Sequence, residues 1–147
     1  MGILSGTAIS RKGTAVALYQ AMECYFGTYK LPEENQLGKG AVVVFNIPRV
    51  GIRFKAPFSG VDSDHCDLAS LLALLEFIDS NQKYFSNHTY QIFGNNLTLI
   101  NQLNGREDSS EILKPLLERA QDYRTKYHFS IDWVPADENP ALKSILD

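Results

Sequence analysis

The sequence predicts an α/β domain in which one mixed five-stranded sheet is flanked by helices. Two β-branched and aromatic runs lie on either side of a short turn within residues 41–56, the pattern of a hairpin. After the hairpin, apolar residues recur alternately at helical and at strand spacing up to the end of the chain, as in a sheet with helices packed on it. The 147 residues, 44% of them hydrophobic, suffice for one core and are too few for two. The expected organisation is a flexible leader, 1–12, and one domain, 13–147.

Residues 14–26 begin the domain and carry conflicting signals. Ala, Leu, Gln, Met and Glu favour helix, whereas Val16, Tyr19, Tyr25 and Phe26 suit a strand, so both readings stay open. Gly27 and the stretch Leu31 to Asn35 mark a loop. Ala41–Ile47 is a β-branched run ending at Pro48, the pattern of a strand buried on both faces. Pro48–Gly51 turns the chain, and Ile52–Ala56 alternates as a half-buried partner strand. Asp62, Ser63 and Asp64 are cap candidates for a helix whose apolar face is Leu68, Leu71, Leu72, Leu75 and Ile78. A polar connection, 81–89, leads to a short strand, Tyr90–Phe93. Gly94-Asn95-Asn96 then turns into a short helix carrying Leu97, Ile100 and Leu103. Ser110 is the candidate cap of a long helix that buries Ile112, Leu113, Leu116, Leu117, Ala120 and Tyr123, with Pro115 tolerated near its start. Phe129–Val134 is the last strand, with Trp133 in its core, and residues 139–147 form a final short helix.

Charge and composition exclude several function classes. The net charge is −3 and the pI is near 5.6, against the basic balance of a dedicated nucleic-acid binder, so such binding needs a local patch. Lys12, Arg49, Arg53 and Lys55 are the candidate patch, around the hairpin. Cys24 and Cys66 lack metal-ligand spacing and read as reduced, buried thiols. The N-terminus lacks a signal-peptide pattern, and the chain has no 18-residue apolar run; the expected location is cytoplasmic, with no membrane partner. The acceptor patterns at Asn87 and Asn96 are therefore chance matches. His65, His88 and His128 are scattered, none at ligand spacing to another, although His65 lies two residues before Asp67. Asp137 and Glu138 read as solvated loop acids. No phosphate loop, Ser-His-Asp set or Cys-His pair is present in the sequence.

Three segments carry a resemblance. Asp67-Leu-Ala-Ser-Leu-Leu-Ala-Leu-Leu-Glu76 opens a long helix with an acid in its first turn. Tyr90 to Gly105 runs from a strand through Asn95-Asn96 into a helix. Ile131-Asp-Trp-Val-Pro135 is followed by Asn139 and then by Leu142-Lys143. Together they resemble the ribonuclease H family over roughly residues 14–146, so the expected fold is ribonuclease H-like. The resemblance implies hydrolysis of the RNA strand of an RNA–DNA hybrid by carboxylates holding two Mg²⁺ ions about 4 Å apart. It also implies where those carboxylates should stand. Asp67 takes the place of the family's helix Glu, Asn95 that of its strand-end Asp, and Lys143 that of its last Asp. The Asp-Gly-Ser step expected on the first strand is missing, and Glu23 is the nearest acid.

Asp67, Asn95 and Glu23 are thus the vestigial catalytic set, and no metal site is expected. Magnesium binds best to anionic oxygens, and at most two of the four carboxylates remain. Asp67 is also an ordinary first-turn acid favoured by the helix dipole, and Gly-Asn-Asn is ordinary turn chemistry. Lys143 has a structural alternative, an ion pair with Asp67 that replaces the metal's charge. Three functions follow: a degenerate domain that still binds a hybrid or duplex, a protein-interaction or structural module that could self-associate through its aromatic first segment, where Tyr19, Tyr25 and Phe26 are either core or interface, and an atypical one-metal nuclease. Mg²⁺ enters only with the third.

Overall fold

The computed structural model describes residues 21–30, 40–85 and 88–146. The leader and residues 14–20, which include Lys12, Val16 and Tyr19, lie outside them. Five strands are present: β1 (Met22–Lys30), β2 (Gly40–Ile47), β3 (Ile52–Ser59), β4 (Tyr90–Gly94) and β5 (Phe129–Trp133). The helices are α1 (Ser63–Ser80), α2 (Gln82–Phe85), α3 (Leu97–Leu103), α4 (Lys114–Lys126) and α5 (Pro140–Leu146). The sheet order is β3-β2-β1-β4-β5, with β1 antiparallel to β2, β2 antiparallel to β3, and β1, β4 and β5 parallel. This is the mixed sheet flanked by helices that the sequence predicts.

Strand periodicity sorts the side chains onto two faces. Met22, Cys24 and Phe26 of β1, Phe45 of β2, and Ile92 of β4 are buried in one core with Leu68, Leu71, Leu75 and Ile78 of α1. Glu23, Tyr25 and Gly27 alternate onto the other face, where α5 packs on β1 and β2. The segment of uncertain state is therefore strand from Met22 on, and it continues through Gly27 to Lys30, which the sequence reading had assigned to a loop. Pairing with β2 explains the extension, because Gly27 to Lys30 find their backbone partners against Val44 to Ala41.

Three local expectations change. The fourth helix begins at Lys114 with Pro115 in its first turn, so Ser110 does not cap it and Ile112 is exposed. Proline fixes φ and lacks an N–H, which suits a first turn and no later position. A short helix, α2, occupies part of the polar connection and buries Phe85. Trp133 is 46% exposed, not core, because it ends an edge strand.

Gly94, the last residue of β4, is needed where it stands. A Cβ there would lie 2.5 Å from Phe26 Cζ, well inside van der Waals contact. The glycine lets the end of β4 close on the Phe26 ring, which brings Asn95 and Asn96 up to β1 and α1.

Candidate functional site

The site is built where β1, β4, α1 and α5 meet. Asp64 lies in the first turn of α1 and Asp67 follows at the start of the second. The helix starts at Ser63 because Asp62 caps it: its Oδ1 accepts from His65 N at 2.8 Å. The His65 ring accepts from Val61 N–H at 3.0 Å and packs edge-on against Phe58, so it serves the entry to α1.

Asn96 faces this turn and plays two parts. Its Oδ1 accepts from Leu99 N at 3.0 Å and caps α3. Its Nδ2 donates to Asp64 Oδ1 at 2.7 Å and to Asp67 Oδ2 at 2.8 Å. One amide thus bridges two carboxylates with its two hydrogens, and each carboxylate receives a charge-assisted bond. Burial pushes the Asp67 carboxyl above its ordinary pKa. The neighbouring Thr28 hydroxyl and the Asn96 amide pull it back, and the charge on Asp64 adds to the upward push. Thr28 Oγ1 is buried without a hydrogen bond of normal geometry, so its effect on Asp67 is electrostatic proximity.

Asn95 turns the other way, toward α5. Its Oδ1 accepts from Asn139 Nδ2 at 2.8 Å, and its backbone carbonyl accepts from Trp133 Nε1 at 3.3 Å. Asn139 is buried and fully used: Nδ2 also donates to Phe26 O at 2.9 Å, and Oδ1 accepts from Ala141 N at 3.0 Å. The Asn139-Pro140 pair is a cap followed by a first-turn proline, which explains why α5 begins there. The β1 residue brought against Asn95 is Gly27. A Cβ at Gly27 would lie 3.2 Å from each of Asn139 Nδ2, Asn95 Oδ1 and Leu142 Cδ2. The Gly27 N–H donates to Ser70 Oγ at 3.0 Å, and Ser70 Oγ donates to Val44 O, which ties β1 and β2 to α1.

The predicted residues separate on this framework. Asp67 and Asn95 come to the same corner, linked through the adjacent Asn96. Glu23 does not join them. It lies on the Gly27 face of β1 four residues earlier, about 13 Å along the strand, exposed and accepting from Tyr25 Oη at 3.0 Å. Lys143 is exposed and forms no ion pair with Asp67; the amide of Asn96 occupies that role. Arg49, Arg53 and Lys55 are exposed along the β2–β3 turn and β3, and none pairs with an acid among the described residues. Asn96, Asp64, Gly27 and Asn139 were missed as site residues. Only Asn139 carried a usable signal, the Asn-Pro cap pattern.

This donor set does not fit a two-magnesium centre. Gly27 offers no ligand, Asn95 is neutral and already paired, and one oxygen each of Asp64 and Asp67 is engaged by the same amide. Among the described residues, no three His, Cys, Asp or Glu side chains converge. Cys24 and Cys66 are both buried free thiols; burial pushes the Cys24 thiol up to about 12, so it stays protonated. No helix is long and apolar enough to cross a membrane among the described residues.

No protein-family model matches the sequence, and no curated protein resembles it significantly. Solved structures do resemble it. RNase H1 from the halophilic archaeon Halobacterium salinarum superposes with a TM-score of 0.63 at 19% identity, over 85% of this chain and 99% of that one. LC11-RNase H1 in complex with an RNA/DNA hybrid gives 0.62 at 14% identity, over 84% and 99%. The N-terminal RNase H domain of a Mycobacterium tuberculosis protein gives 0.59 at 14% identity, over 86% and 97%. At these identities the likeness establishes the fold, which is ribonuclease H-like.

Proposed function

We propose that this ribonuclease H-like domain holds nucleic acid, as an RNA–DNA hybrid or a duplex, without cutting it. The observation that carries the proposal is the amide bridge from Asn96 to Asp64 and Asp67. A divalent ion needs anionic oxygens free to turn toward it. Here two carboxylates share one neutral amide, the nearby Gly27 and Asn95 carry no negative charge, and by the resemblance Lys143 stands where a further acid is expected. Each missing charge near a cation forfeits about 4 kcal/mol per unit of the ion's charge at about 4 Å and intermediate dielectric. A one-metal nuclease built from Asp67, Glu23 and Asn95 has less support still, because Glu23 lies far along β1 on the sheet face turned away from α1.

Retained binding is supported by charge and shape near the same corner. Arg53 and Lys55 pair in register with Asn46 and Val44, and Val44 pairs with Gly27. Both cations therefore share the sheet face of Gly27, with Lys55 two strands away on the same rung, about 10 Å. On the other side of Gly27, the exposed indole of Trp133 hydrogen-bonds the backbone of Asn95. An indole at the mouth of a site offers a stacking surface for a base. The solved LC11-RNase H1 complex shows this fold holding an RNA/DNA hybrid. The net charge of −3 implies a modest, salt-sensitive affinity.

The test is to incubate the protein with a labelled RNA–DNA hybrid in Mg²⁺ and separately in Mn²⁺, beside Asp67→Ala. Fluorescence of Trp133, the sole tryptophan, reports binding in parallel. The expected result is no cleavage, with quenching that weakens as salt rises and is reduced in Arg53→Ser/Lys55→Ser. Cleavage that disappears in Asp67→Ala would overturn the proposal. Neither cleavage nor quenching would leave the fold as a scaffold for protein partners.

A further inference from the structure

A second polar cavity lies at the opposite end of the parallel strands. It measures about 380 Å³ and opens beside β5 between the α3–α4 loop and the end of α4. Its cations are Arg106 and Arg124, joined by His128, Asn104 and Ser130, with Asp132 as its one acid. Its position follows from the topology. Asn104 stands at the far end of α3, about 12 Å from Asn96, and Phe129 pairs with Tyr90, where β4 begins.

Arg124 is the anchor. Its guanidinium lies over the Phe129 ring at 5.5 Å and donates to Leu103 O at 3.3 Å and to Asn104 Oδ1 at 2.8 Å. Asn104 in turn donates to Ile131 O at 2.8 Å, which fixes the group against the outer edge of β5. All the acceptors of Arg124 are neutral, and its Nε is buried without a partner. Partial burial works against its charge, and Asp132 supports it only at a distance. Arg106, next to Gly105 in the turn, is exposed and makes one long contact, 3.4 Å, to Asn101 Oδ1. Neither arginine forms an ion pair among the described residues. The nearby Glu107 turns to Asn101 Nδ2 instead.

A partly buried cation without a counterion is costly unless an anion completes it. Two guanidinium groups present planar donor pairs, and the His128 ring and Ser130 hydroxyl add further polar groups around one open space. Two guanidinium forks converging on one space offer more donors than the two oxygens of a carboxylate accept, and suit an anion with three or more oxygens. We propose that this cavity binds a terminal phosphate group, as in a phosphomonoester. The site is independent of the Asn95 corner and of whether nucleic acid binds there.

The chemistry is common to a small phosphomonoester and to the 5′-phosphate of an oligonucleotide. The test uses calorimetry at low ionic strength with inorganic phosphate, ribose 5-phosphate, and a single-stranded decamer with and without a 5′-phosphate. Saturable binding of inorganic phosphate is expected, weakened at least about tenfold in Arg106→Ala. Arg106 is exposed, so that variant keeps the fold. Arg124→Lys tests the anchor and should lose binding by a similar factor while retaining the charge, because the fork is lost. Preference for the phosphorylated decamer over its hydroxyl counterpart supports the site and assigns it to nucleic-acid ends. Tighter binding of ribose 5-phosphate than of either decamer supports it and assigns it to small molecules. No saturable phosphate binding up to about 10 mM overturns the proposal, as does binding that Arg106→Ala leaves unchanged.

Discussion

Replacing Asn96 with aspartate tests the amide bridge with the least disturbance elsewhere. Aspartate is as good a helix cap as asparagine, so the bond to Leu99 N survives. What changes is the side turned to α1. Two charge-assisted bonds, at 2.7 and 2.8 Å, become two carboxylate–carboxylate contacts. Each lost bond is worth about 1.5–3 kcal/mol before rearrangement, and each close like-charge pair up to about 4 kcal/mol at an effective dielectric of 20. Both carboxylates are half-buried, so rotation and hydration relieve much of this. The expected destabilisation at pH 7 is about 2–4 kcal/mol, a fall in Tm on the order of 5–15 °C for a domain of this size. The deficit should shrink below about pH 4, where the carboxylates take up protons. Asn96→Asp also gathers three acids, so millimolar Mg²⁺ or Mn²⁺ should raise its Tm and leave the wild type nearly unchanged. Thermal melts with EDTA and with each metal read both effects. Equal melting of variant and wild type in EDTA would refute the reasoning. So would an equal metal-induced rise in both, since the wild-type amide would then not be keeping cations out.

The other predictions are narrower. Gly94→Ala puts a Cβ 2.5 Å from the Phe26 ring and should cost about 1–3 kcal/mol in denaturant melts; an unchanged midpoint would mean that β4 does not close on Phe26. Asn139→Ala leaves Asn95 Oδ1 and Phe26 O without their donor and uncaps α5, so a loss of about 2–4 kcal/mol is expected, with increased amide exchange at Ala141. Asp67 has a raised folded pKa, so its ionisation opposes folding at neutral pH, and that penalty disappears as pH falls below its unfolded value of about 3.9. Asp67→Asn should therefore match or exceed wild-type stability at pH 7 and lose that advantage near pH 3; a large loss at pH 7 would reverse the sign.

The sheet and its helices were legible because the patterns behind them are local. The run Ala41–Ile47 and the Leu68-to-Ile78 stripe declare strand and helix without knowledge of their partners. Asp67 and Asn95 were legible through resemblance, since both sit at element ends where spacing to neighbouring motifs is short. Glu23 was not placed correctly relative to them, because proximity across a sheet depends on register. The pairing of Tyr25 with Phe93 puts Gly27, not Glu23, against Asn95, and single-residue register cannot be read from composition. Asn96 was hidden for a different reason. A capping asparagine looks the same in sequence whether its amide faces water or two carboxylates.

Order at this corner is carried by neutral groups. A catalytic carboxylate cluster is a burden without its metal, since like charges must be held together. Here each such position has an internal solution. Gly27 leaves room for Asn139, whose amide ties Asn95 to the backbone of β1, and Asn96 neutralises the turn of α1 by hydrogen bonding. Ser70 connects the same stretch of β1 to β2 from the α1 side. The strand ends and two helix starts that a nuclease would bring together around metal are joined by neutral amides and a hydroxyl. A network of that kind fixes β1, the end of β4 and the start of α1 against one another, and through the carbonyl of Asn95 it reaches the indole of Trp133. Such rigid placement is what the proposed binding role would use.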